Sequence, residues 1–368
     1  MEKALYTCLL LLLCGFVSLG QATLPKAAPI TVKVAVVIQD PRIPSMGNKR
    51  MHEALSSPGN RYKWQDPRKL MIDYQDSLNS LSGGVVNYEI VKVYDDNQFF
   101  TRLENSKELL GFDEMISLLA EPDWATLKKE NTKFDYNRLI DHYGFCDMRD
   151  KGEINEVWVW TFPYAGAWES TFAGKNAFWL NSNPVQGTSC EELLTIMGLN
   201  YERDMSLALE SYGHRFESVM RKVYGRWDHK SDELNNWELY TSYDKIAPGK
   251  AHIGNIHFPP NGLKDYDWKN MAPVKTYADS WASYPSVKPS EGRVVTCEEW
   301  DCSHLGYMSW WYRHIPHFEG INPADGHLNN WWHYVVDYNA AMKREAQLKQ
   351  ESQTTKPSKT TRQKTRGR

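Results

Sequence analysis

The chain has 368 residues, of which 41% are hydrophobic and 13% aromatic, and its formal net charge at pH 7 is −3. A chain of this length and composition builds a sizeable core as one large domain or two ordinary ones, which excludes a disordered protein. The charge excludes a protein whose main ligand is the nucleic-acid backbone, because such a protein needs a basic face.

The N-terminus has the organisation of a secretory signal. A short charged start precedes an apolar run from Ala4 to Gly20, and Gly20 and Ala22 provide small residues for a cleavage site. The apolar run is shorter than the ~20 residues that a membrane-spanning helix needs, and no later stretch is apolar enough to span. We therefore expect residues 1–22 to be a signal peptide and the protein to be secreted, extracellular and without a membrane span.

Removal of the signal peptide leaves four cysteines in an oxidising compartment, which favours two disulfide bonds. Three connectivities are possible. Cys297 and Cys302 are close enough in sequence to close a local loop, which would pair Cys146 with Cys190. The alternative, a metal site, lacks the Cys-x-x-Cys spacing of zinc modules.

Residues 23–224 have the pattern of an α/β layer. The β-branched run Ile30–Ile38 predicts a buried strand, and Val85–Tyr94 predicts the next one. Between them, Asp66 and Pro67 form a capped helix start, which is followed by apolar residues at helical spacing and a glycine pair. These elements predict a β-α-β unit with a right-handed crossover.

Further elements complete this layer. Helices are predicted near Asp113–Ala120 and Asp135–His142, and Glu156–Phe162 is apolar on both faces, as in a central strand. Ala177–Leu180 is a candidate for one more strand. We predict an α/β (or α+β) fold, with a mixed sheet and flanking helices in this half of the chain. Glu169 follows the carboxyl end of the central strand, where ligands of α/β sheets bind, and is a candidate acid or base.

The longest predicted helix, Tyr201–Tyr224, has a polar stripe beside its apolar one. Glu210, His214 and Glu217 are spaced four and three residues apart, so a helix puts their side chains on one face. Carboxylate and imidazole groups are suitable ligands for zinc or another divalent metal, and such a site needs further ligands from elsewhere in the chain. The alternative is an ordinary salt-bridged helix face.

Two downstream histidines are candidates for the missing ligand. The segment His252-Ile-Gly-Asn-Ile-His257-Phe-Pro-Pro carries two imidazoles between glycine and proline residues. His257 is the first choice and His252 the second. The alternative for each is a histidine that bonds backbone groups in a loop.

The pentapeptide Glu210-Ser-Tyr-Gly-His214 resembles the active-site helix of zincin metallopeptidases, whose HExGH pattern has metal ligands at its first and fifth positions. In this chain glutamate replaces the first histidine, and Ser211 occupies the position of the general-base glutamate. The resemblance implies a metal held by Glu210 and His214. It also implies that Glu217 or Glu169 acts as the catalytic base, or that the protein is an inactive relative.

Residues 225–342 are rich in aromatic residues, with little periodicity, and predict a loop-rich region packed on the α/β layer. Two tryptophan pairs, Trp310-Trp311 and Trp331-Trp332, are interleaved with polar residues. Such rings bind sugars by stacking on pyranose faces, while the neighbouring amides and imidazoles bind hydroxyls. Alternatively, the four tryptophans are core residues, because helical spacing turns one ring of each pair inward.

The C-terminal segment 343–368 has nine basic residues against two glutamates and no aromatic residue. It cannot build a core, so we predict a disordered basic tail. Such a tail binds acidic glycans or acidic matrix, or it only increases solubility.

Two interpretations of the function remain. The first is a secreted, non-catalytic protein that binds glycans or matrix through its aromatic loops and basic tail; serine in place of the zincin glutamate favours it. The alternative is a secreted metal-dependent hydrolase, peptidase-like, in which a carboxylate deprotonates the attacking water. The chain has no nucleophile elbow, P-loop or dinucleotide fingerprint, so serine-hydrolase, kinase and dehydrogenase activities have no motif in their support.

Overall fold

The structure is a computed structural model that describes residues 24–55, 64–287 and 291–354. The predicted signal peptide and the end of the predicted basic tail, residues 355–368, lie outside these ranges. Within them, no helix is both long enough and apolar enough to cross a membrane.

A five-stranded mixed sheet forms the centre of the fold. Its strands are β1 (Ile30–Ile38), β2 (Val86–Tyr94), β3 (Glu156–Thr161), β4 (Ser170–Ala173) and β5 (Leu194–Asn200). They lie in the order β2-β1-β3-β5-β4. All neighbours are parallel except β4, which is antiparallel to β5. This sheet confirms the predicted α/β fold class and the β-α-β unit.

Helices cover both faces of the sheet and build much of the C-terminal region. They are α1 (Met51–Leu55), α2 (Pro67–Leu81), α3 (Phe112–Ala120), α4 (Ala125–Glu130), α5 (Tyr136–Tyr143), α6 (Phe145–Asp150), α7 (Met205–Tyr224), α8 (Asn236–Tyr240), α9 (His304–Arg313), α10 (Trp331–Val336) and α11 (Tyr338–Thr354). Short antiparallel ribbons pair Arg42–Ile43 with Lys49–Arg50, Thr101–Arg102 with Lys133–Phe134, Val274–Thr276 with Arg293–Val295, and His317–Ile321 with Leu328–Asn330. Short 3-10 helices occur at Pro44–Met46, Pro122–Trp124, Ala278–Ser283 and Cys297–Trp300.

The side chains of β1 alternate between two hydrophobic cores, one on each face of the sheet. Val34 and Val36 belong to the larger core, which also contains the apolar residues of α2 and α7. Ala35 and Val37 belong to the smaller core, with residues of α5 and α6. Burial on both faces explains why the strand is a continuous β-branched run rather than an alternating one.

The prediction of a strand at Ala177–Leu180 is wrong. The carbonyl of Leu180 accepts a hydrogen bond from the Ser170 hydroxyl, so this segment follows the edge of β4 without joining the ladder. The run Leu194–Asn200 forms the last parallel strand instead. Only glycine fits at position 198 of this strand, because the segment with Trp168 crosses close to it. A Cβ at position 198 would lie 2.2 Å from the carbonyl oxygen of Trp168.

The C-terminal region packs on α7 through aromatic rings. Phe216 of α7 lies with its ring centroid 5.6 Å from those of Trp311 and Trp332. Trp310 and Trp331 are buried as well, and none of the four tryptophans is more than 6% exposed. The predicted sugar-binding platform at these positions is therefore wrong, because the surrounding core covers the ring faces that a sugar would need.

A buried ion pair fixes α7 against the sheet. A terminal nitrogen of Arg215 lies 2.7 Å from Oε2 of Glu156 in β3, and both side chains are fully buried. The same guanidinium donates to the carbonyl of Val335 at 2.6 Å. Separating such a pair leaves an uncompensated buried charge. The ion pair therefore fixes the orientation of α7, the helix that carries Glu210 and His214, about its own axis.

Both predicted cysteine pairs are disulfide-bonded. Cys146–Cys190 joins α6 to the segment before β5, and Cys297–Cys302 closes a local loop before α9. These bonds are compatible with a secreted protein.

The prediction of a disordered tail is wrong for residues 343–354, which belong to α11. The reason is Glu345, which is buried and ion-paired. Its carboxylate accepts a hydrogen bond from the Tyr334 hydroxyl and lies 3.1 Å from Nδ1 of His327 and 2.5 Å from Nζ of Lys349. Composition indicates a solvated segment here, but these specific contacts anchor its first turns to the body of the protein.

Candidate metal centre

The helix α7 presents the first two ligand groups. It begins at Asp204, whose carboxylate accepts hydrogen bonds from the backbone N–H groups of Ser206 and Leu207. Glu210 and His214 then lie one turn apart on the same face, with Nε2 of His214 3.9 Å from Oε1 of Glu210. The structure therefore brings these two groups together as the sequence spacing predicts.

The third group, His257, comes from a tight loop that the core fixes. The Tyr307 hydroxyl lies within 3.1 Å of the carbonyl oxygens of Ile253, Asn255 and Phe258. Nε2 of His257 lies 3.1 Å from Nε2 of His214 and 3.5 Å from Oε1 of Glu210.

Gly213 lets this loop approach the helix. A Cβ at position 213 would lie 2.2 Å from Cδ1 of Ile256, the residue before His257. Any larger residue would therefore clash with the buried Ile256 side chain, which would have to move. The glycine of the zincin-like pentapeptide thus has a packing role here.

Each of the two imidazoles has a carboxylate at its far nitrogen. Nδ1 of His214 lies 2.9 Å from Oε2 of Glu217, and Nδ1 of His257 lies 3.6 Å from Oδ1 of Asp265. The hydrogen bond to Glu217 favours a proton on Nδ1 of His214 and leaves Nε2 as the nitrogen that can bind a metal, as is typical of metal-binding histidines. Asp265 is too far from His257 for such a hydrogen bond. Nε2 of each imidazole faces Oε1 of Glu210.

Glu217 therefore has a different position from the one predicted for a catalytic base. Its Oε2 faces His214, and its Oε1 accepts a hydrogen bond from the backbone N–H of Ile256 at 3.0 Å. With both oxygens engaged and the side chain buried, Glu217 is a positioning residue that orients His214.

Glu169 lies near the same centre but keeps access to solvent. Its backbone carbonyl accepts a hydrogen bond from Gly198 at 3.1 Å, which fixes the segment across β5. Oε2 accepts a hydrogen bond from Asn181 at 2.5 Å, and Oε1 lies 3.8 Å from Arg203. Its negative charge contributes to the raised pKa of His214.

Two further groups at the centre were not predicted from the sequence. Nε2 of His304, the first residue of α9, lies 2.9 Å from Oε2 of Glu210. Both atoms are buried, and neither has a hydrogen-bond partner. The Tyr266 hydroxyl lies 3.3 Å from both Oε1 of Glu210 and Nε2 of His257.

The electrostatics of the centre follow from one buried carboxylate among three imidazoles. Burial alone would raise the pKa of Glu210, but His214, His257 and His304 hold it well below its usual range. Burial would likewise lower the pKa of His214, but Glu210 and Glu217 raise it to about 10. Burial and the charge of Glu210 raise the pKa of Tyr266 to about 12. Positive charge is thus strongly favoured at this point.

The geometry fits a divalent metal. Glu210, His214 and His257 offer three ligand atoms that lie within 4.8 Å of one another. Their separations of 3.1, 3.5 and 3.9 Å bracket the distance of about 3.4 Å between ligand atoms in a tetrahedron with zinc–ligand bonds of about 2.0–2.1 Å. Two histidines and one carboxylate leave the fourth position for water or substrate, as in catalytic zinc sites.

The other histidine considered as a ligand, His252, does not join this centre. His252, the second choice, is buried and its Nδ1 accepts a hydrogen bond from the indole N–H of Trp281 at 3.2 Å. It has the loop role that we considered as the alternative, and among the two candidates only His257 joins Glu210 and His214.

Two neighbouring clefts lie along α7, and of the three ligand residues only His214 lines one of them, the first. The helix cleft, about 760 Å³, is lined by α7 and the segment before β5; its lining includes Trp179, Asn181, His214, Arg221 and Lys222. The sheet cleft, about 610 Å³, lies at the carboxyl ends of β3 and β5; its lining includes Tyr164, Trp168, Glu169, Arg203 and Ser211. The hydrogen bond from Asn181 to Glu169 joins a wall of the first cleft to a wall of the second.

Comparison of the chain with models of known protein families, with curated proteins and with solved structures finds no match in any of the three.

Proposed function

We propose that the protein is a metal-dependent hydrolase that holds one zinc or similar divalent ion on Glu210, His214 and His257. The observation that carries this proposal is the convergence of three ligand atoms within 4.8 Å, with the Glu217 carboxylate hydrogen-bonded to the far nitrogen of His214. The competing interpretation, a non-catalytic glycan- or matrix-binding protein, loses its tryptophan platform because Trp310, Trp311, Trp331 and Trp332 are buried. Its other support, the basic tail, lies outside the described residues from position 355 onward.

An ion held there would supply Lewis acidity, which polarises a carbonyl group and makes a neighbouring water more acidic. Zinc suits this set of nitrogen and oxygen ligands, although such ligands also bind other transition metals. The donors come from a rigid helix and from a loop that Tyr307 fixes, which is the preorganisation that a catalytic site requires.

Three residues around the ligands carry out the other steps of acyl hydrolysis. Glu169 accepts a proton from the attacking water, since its side chain is partly exposed and lines the sheet cleft. Tyr266, which remains protonated because its pKa is raised to about 12, donates a hydrogen bond to the developing oxyanion. Glu217 keeps the proton of His214 on Nδ1. The water oxygen bonds to the carbonyl carbon, the acyl C–O or C–N bond breaks, and the proton passes from Glu169 to the leaving group.

The first test is the metal content of the purified protein after dialysis against a trace of zinc. We expect about one zinc per chain, and close to none in His257→Ala, which removes a ligand from a partly exposed loop. His52→Ala is the matched control, because it removes a histidine from a different carboxylate–histidine cluster and should keep the zinc. Absence of zinc from the unaltered protein, or zinc that survives His257→Ala, would overturn the proposal.

The second arm of the test concerns catalysis. Chelation should abolish hydrolysis of chromogenic acyl esters, and added zinc should restore it. Glu169→Gln should keep its zinc and lose at least about 100-fold in kcat, the usual contribution of a general base. Unchanged kcat in this variant would remove Glu169 from the mechanism.

A further inference from the structure

The distribution of the tryptophans singles out the two clefts as a binding surface for an extended molecule. All 15 tryptophans of the sequence lie in the described ranges, and among them only Trp168 and Trp179 are more than half exposed, at 56% and 54%. Trp168 lines the sheet cleft and Trp179 lines the helix cleft. An exposed ring on the wall of a cleft is available to stack on a ligand. The helix cleft is lined by His214, and the sheet cleft adjoins it at the hydrogen bond from Asn181 to Glu169.

The helix cleft also has positive charge that no carboxylate neutralises. Arg221 and Lys222, both exposed, have no carboxylate within 4.0 Å among the residues that the structure describes. Nζ of Lys222 lies 5.6 Å from the ring centroid of Phe178, at the wall of the same cleft. These two cations therefore suit a ligand that carries carboxylate or sulfate groups.

The sheet edge beside the centre is closed to a peptide. Extended peptides bind hydrolases and other receptors by pairing with an open strand edge. Here the edge strand β4 is already covered, because Val185 N–H donates to the carbonyl of Phe172 at 2.8 Å. Side chains of Ser170 and Thr171 bond the carbonyls of Leu180 and Asn183 in addition.

From these three observations we infer that the substrate is a linear acidic polysaccharide that runs through both clefts. Its pyranose faces stack on Trp168 and Trp179, its anionic groups contact Arg221 and Lys222, and an acyl substituent is presented to the metal centre. Hydrolysis of an N-acyl group consumes one water: the amide C–N bond breaks, a C–O bond forms, and a carboxylic acid and an amine are released without any redox change. This inference rests on the proposed hydrolase function for the reaction, but not for binding.

Binding is therefore tested on the zinc-free protein, with the full chain and a chelator present. The probes are hyaluronan, an N-acetylated polymer that contains uronic acid, dextran as a neutral polymer, and poly-glutamate as an acidic peptide. We expect the dissociation constant for hyaluronan to rise roughly tenfold in Trp168→Ala and in Trp179→Ala, as is usual for the loss of one stacked ring. Arg221→Gln/Lys222→Gln should weaken binding at least as much and reduce its salt dependence.

The charge control is Arg42→Gln/Lys49→Gln, which removes two exposed cations from a ribbon that lines neither cleft. It should leave hyaluronan binding unchanged. Arg221 and Lys222 also lie in the last turn of α7, where cations stabilise the helix dipole, so urea denaturation of each variant must show that it remains folded.

Dextran that binds as tightly as hyaluronan, or poly-glutamate that binds more tightly, would overturn the assignment of the substrate class. So would hyaluronan binding that is insensitive to both tryptophan substitutions. Acetate release by the zinc-loaded protein tests the hydrolase itself. Hyaluronan binding without bound zinc or acetate release would contradict the proposed function and support the inferred ligand. Zinc-dependent esterase activity without hyaluronan binding would support the proposed function and contradict the inferred ligand.

Discussion

Two clusters of carboxylates and histidines in this protein satisfy the same criterion of proximity and differ in what neutralises them. Asp40, His52 and Asp66 bring three ligand atoms within 4.8 Å of one another, as Glu210, His214 and His257 do. Both clusters contain one fully or almost fully buried carboxylate. The clusters differ in the cations that contact that carboxylate.

In the first cluster the protein supplies a permanent cation. Oδ2 of the buried Asp40 lies 2.7 Å from a terminal nitrogen of Arg68 and 2.8 Å from Nδ1 of His52. Arg68 is held in turn by Asp95, through two nitrogens and both carboxylate oxygens. A metal ion would have to displace a guanidinium that cannot lose its charge, so this cluster is a salt-bridge network.

In the second cluster no permanent cation is present. Within the described ranges, no lysine or arginine nitrogen lies within 4.0 Å of Glu210; its neighbours are three imidazoles and the Tyr266 hydroxyl. Positive charge must therefore come from protons on the imidazoles or from a metal, and the two compete for the same lone pairs. Proximity alone does not distinguish a metal centre from an ion-pair network; the absence of a built-in cation leaves room for a metal in the second cluster and not in the first.

The largest effect is expected from removal of the permanent cation. Arg68→Ala leaves Asp40 buried with His52 alone, and we expect the free energy of unfolding to fall by about 3–5 kcal/mol, the usual cost of breaking a buried pair. Urea denaturation measures it. Arg42→Ala, which removes an exposed arginine bonded only to the carbonyl of Asn48 in the same ribbon, should change it by no more than about 0.5 kcal/mol. A loss below about 1 kcal/mol in Arg68→Ala would show that the first cluster does not depend on its guanidinium.

A buried histidine without a carboxylate partner sharpens the comparison. Asp40 raises the pKa of His52 against the effect of burial, whereas burial lowers the pKa of His252 from 6.5 to about 4. Between pH 6.5 and about pH 4, His252 of the unfolded chain binds a proton that His252 of the folded protein does not bind. Stability therefore falls as the pH drops from 6.5 towards 4, by up to about 3 kcal/mol from this residue.

His252→Gln isolates this contribution. Glutamine keeps an acceptor for the indole N–H of Trp281 and cannot titrate. We expect its free energy of unfolding, measured by urea denaturation from pH 7 to pH 4, to fall less steeply than that of the unaltered protein. Parallel curves for the two proteins would mean that His252 binds its proton equally well in the folded and unfolded states.

The sequence predicts much of the fold because its strands and helices carry their own signals. Continuous β-branched residues mark β1, and Asp66-Pro67 marks the start of α2, both within one or two residues. The sequence fails where a long-range contact decides. Leu194–Asn200 forms a strand in which Gly198 leaves room for the backbone of Trp168 to pass close by. Lys343–Thr354 is helical because the buried Glu345 bonds His327 and Tyr334 of the preceding region.

The same division applies to the candidate site. Helical spacing brings Glu210, His214 and Glu217 to one face, and the glycine–proline context points to His257. Nothing local indicates His304, whose ring stacks on Trp268 at a centroid distance of 4.9 Å and reaches Glu210 only through tertiary packing. The tryptophan pairs fail in the opposite way, since the sequence suggests a site where the structure has core. Polar neighbours along the chain do not indicate how deeply the rings at 310, 311, 331 and 332 are buried.

The smallest effect we predict concerns the carboxylate behind a ligand. Glu217 accepts from both the Ile256 N–H and the His214 ring, and Glu217→Gln can accept from only one of them. The imidazole then loses the partner that fixes its tautomer and raises its basicity, so zinc affinity should fall about 10- to 100-fold. Competition with a chromophoric chelator measures it, and Glu299→Gln, whose carboxylate pairs with Arg293 away from the centre, should leave it unchanged. An unaltered affinity in Glu217→Gln would mean that Nδ1 of His214 needs no carboxylate to present its other nitrogen, and the second cluster would then differ from the first only by its missing guanidinium.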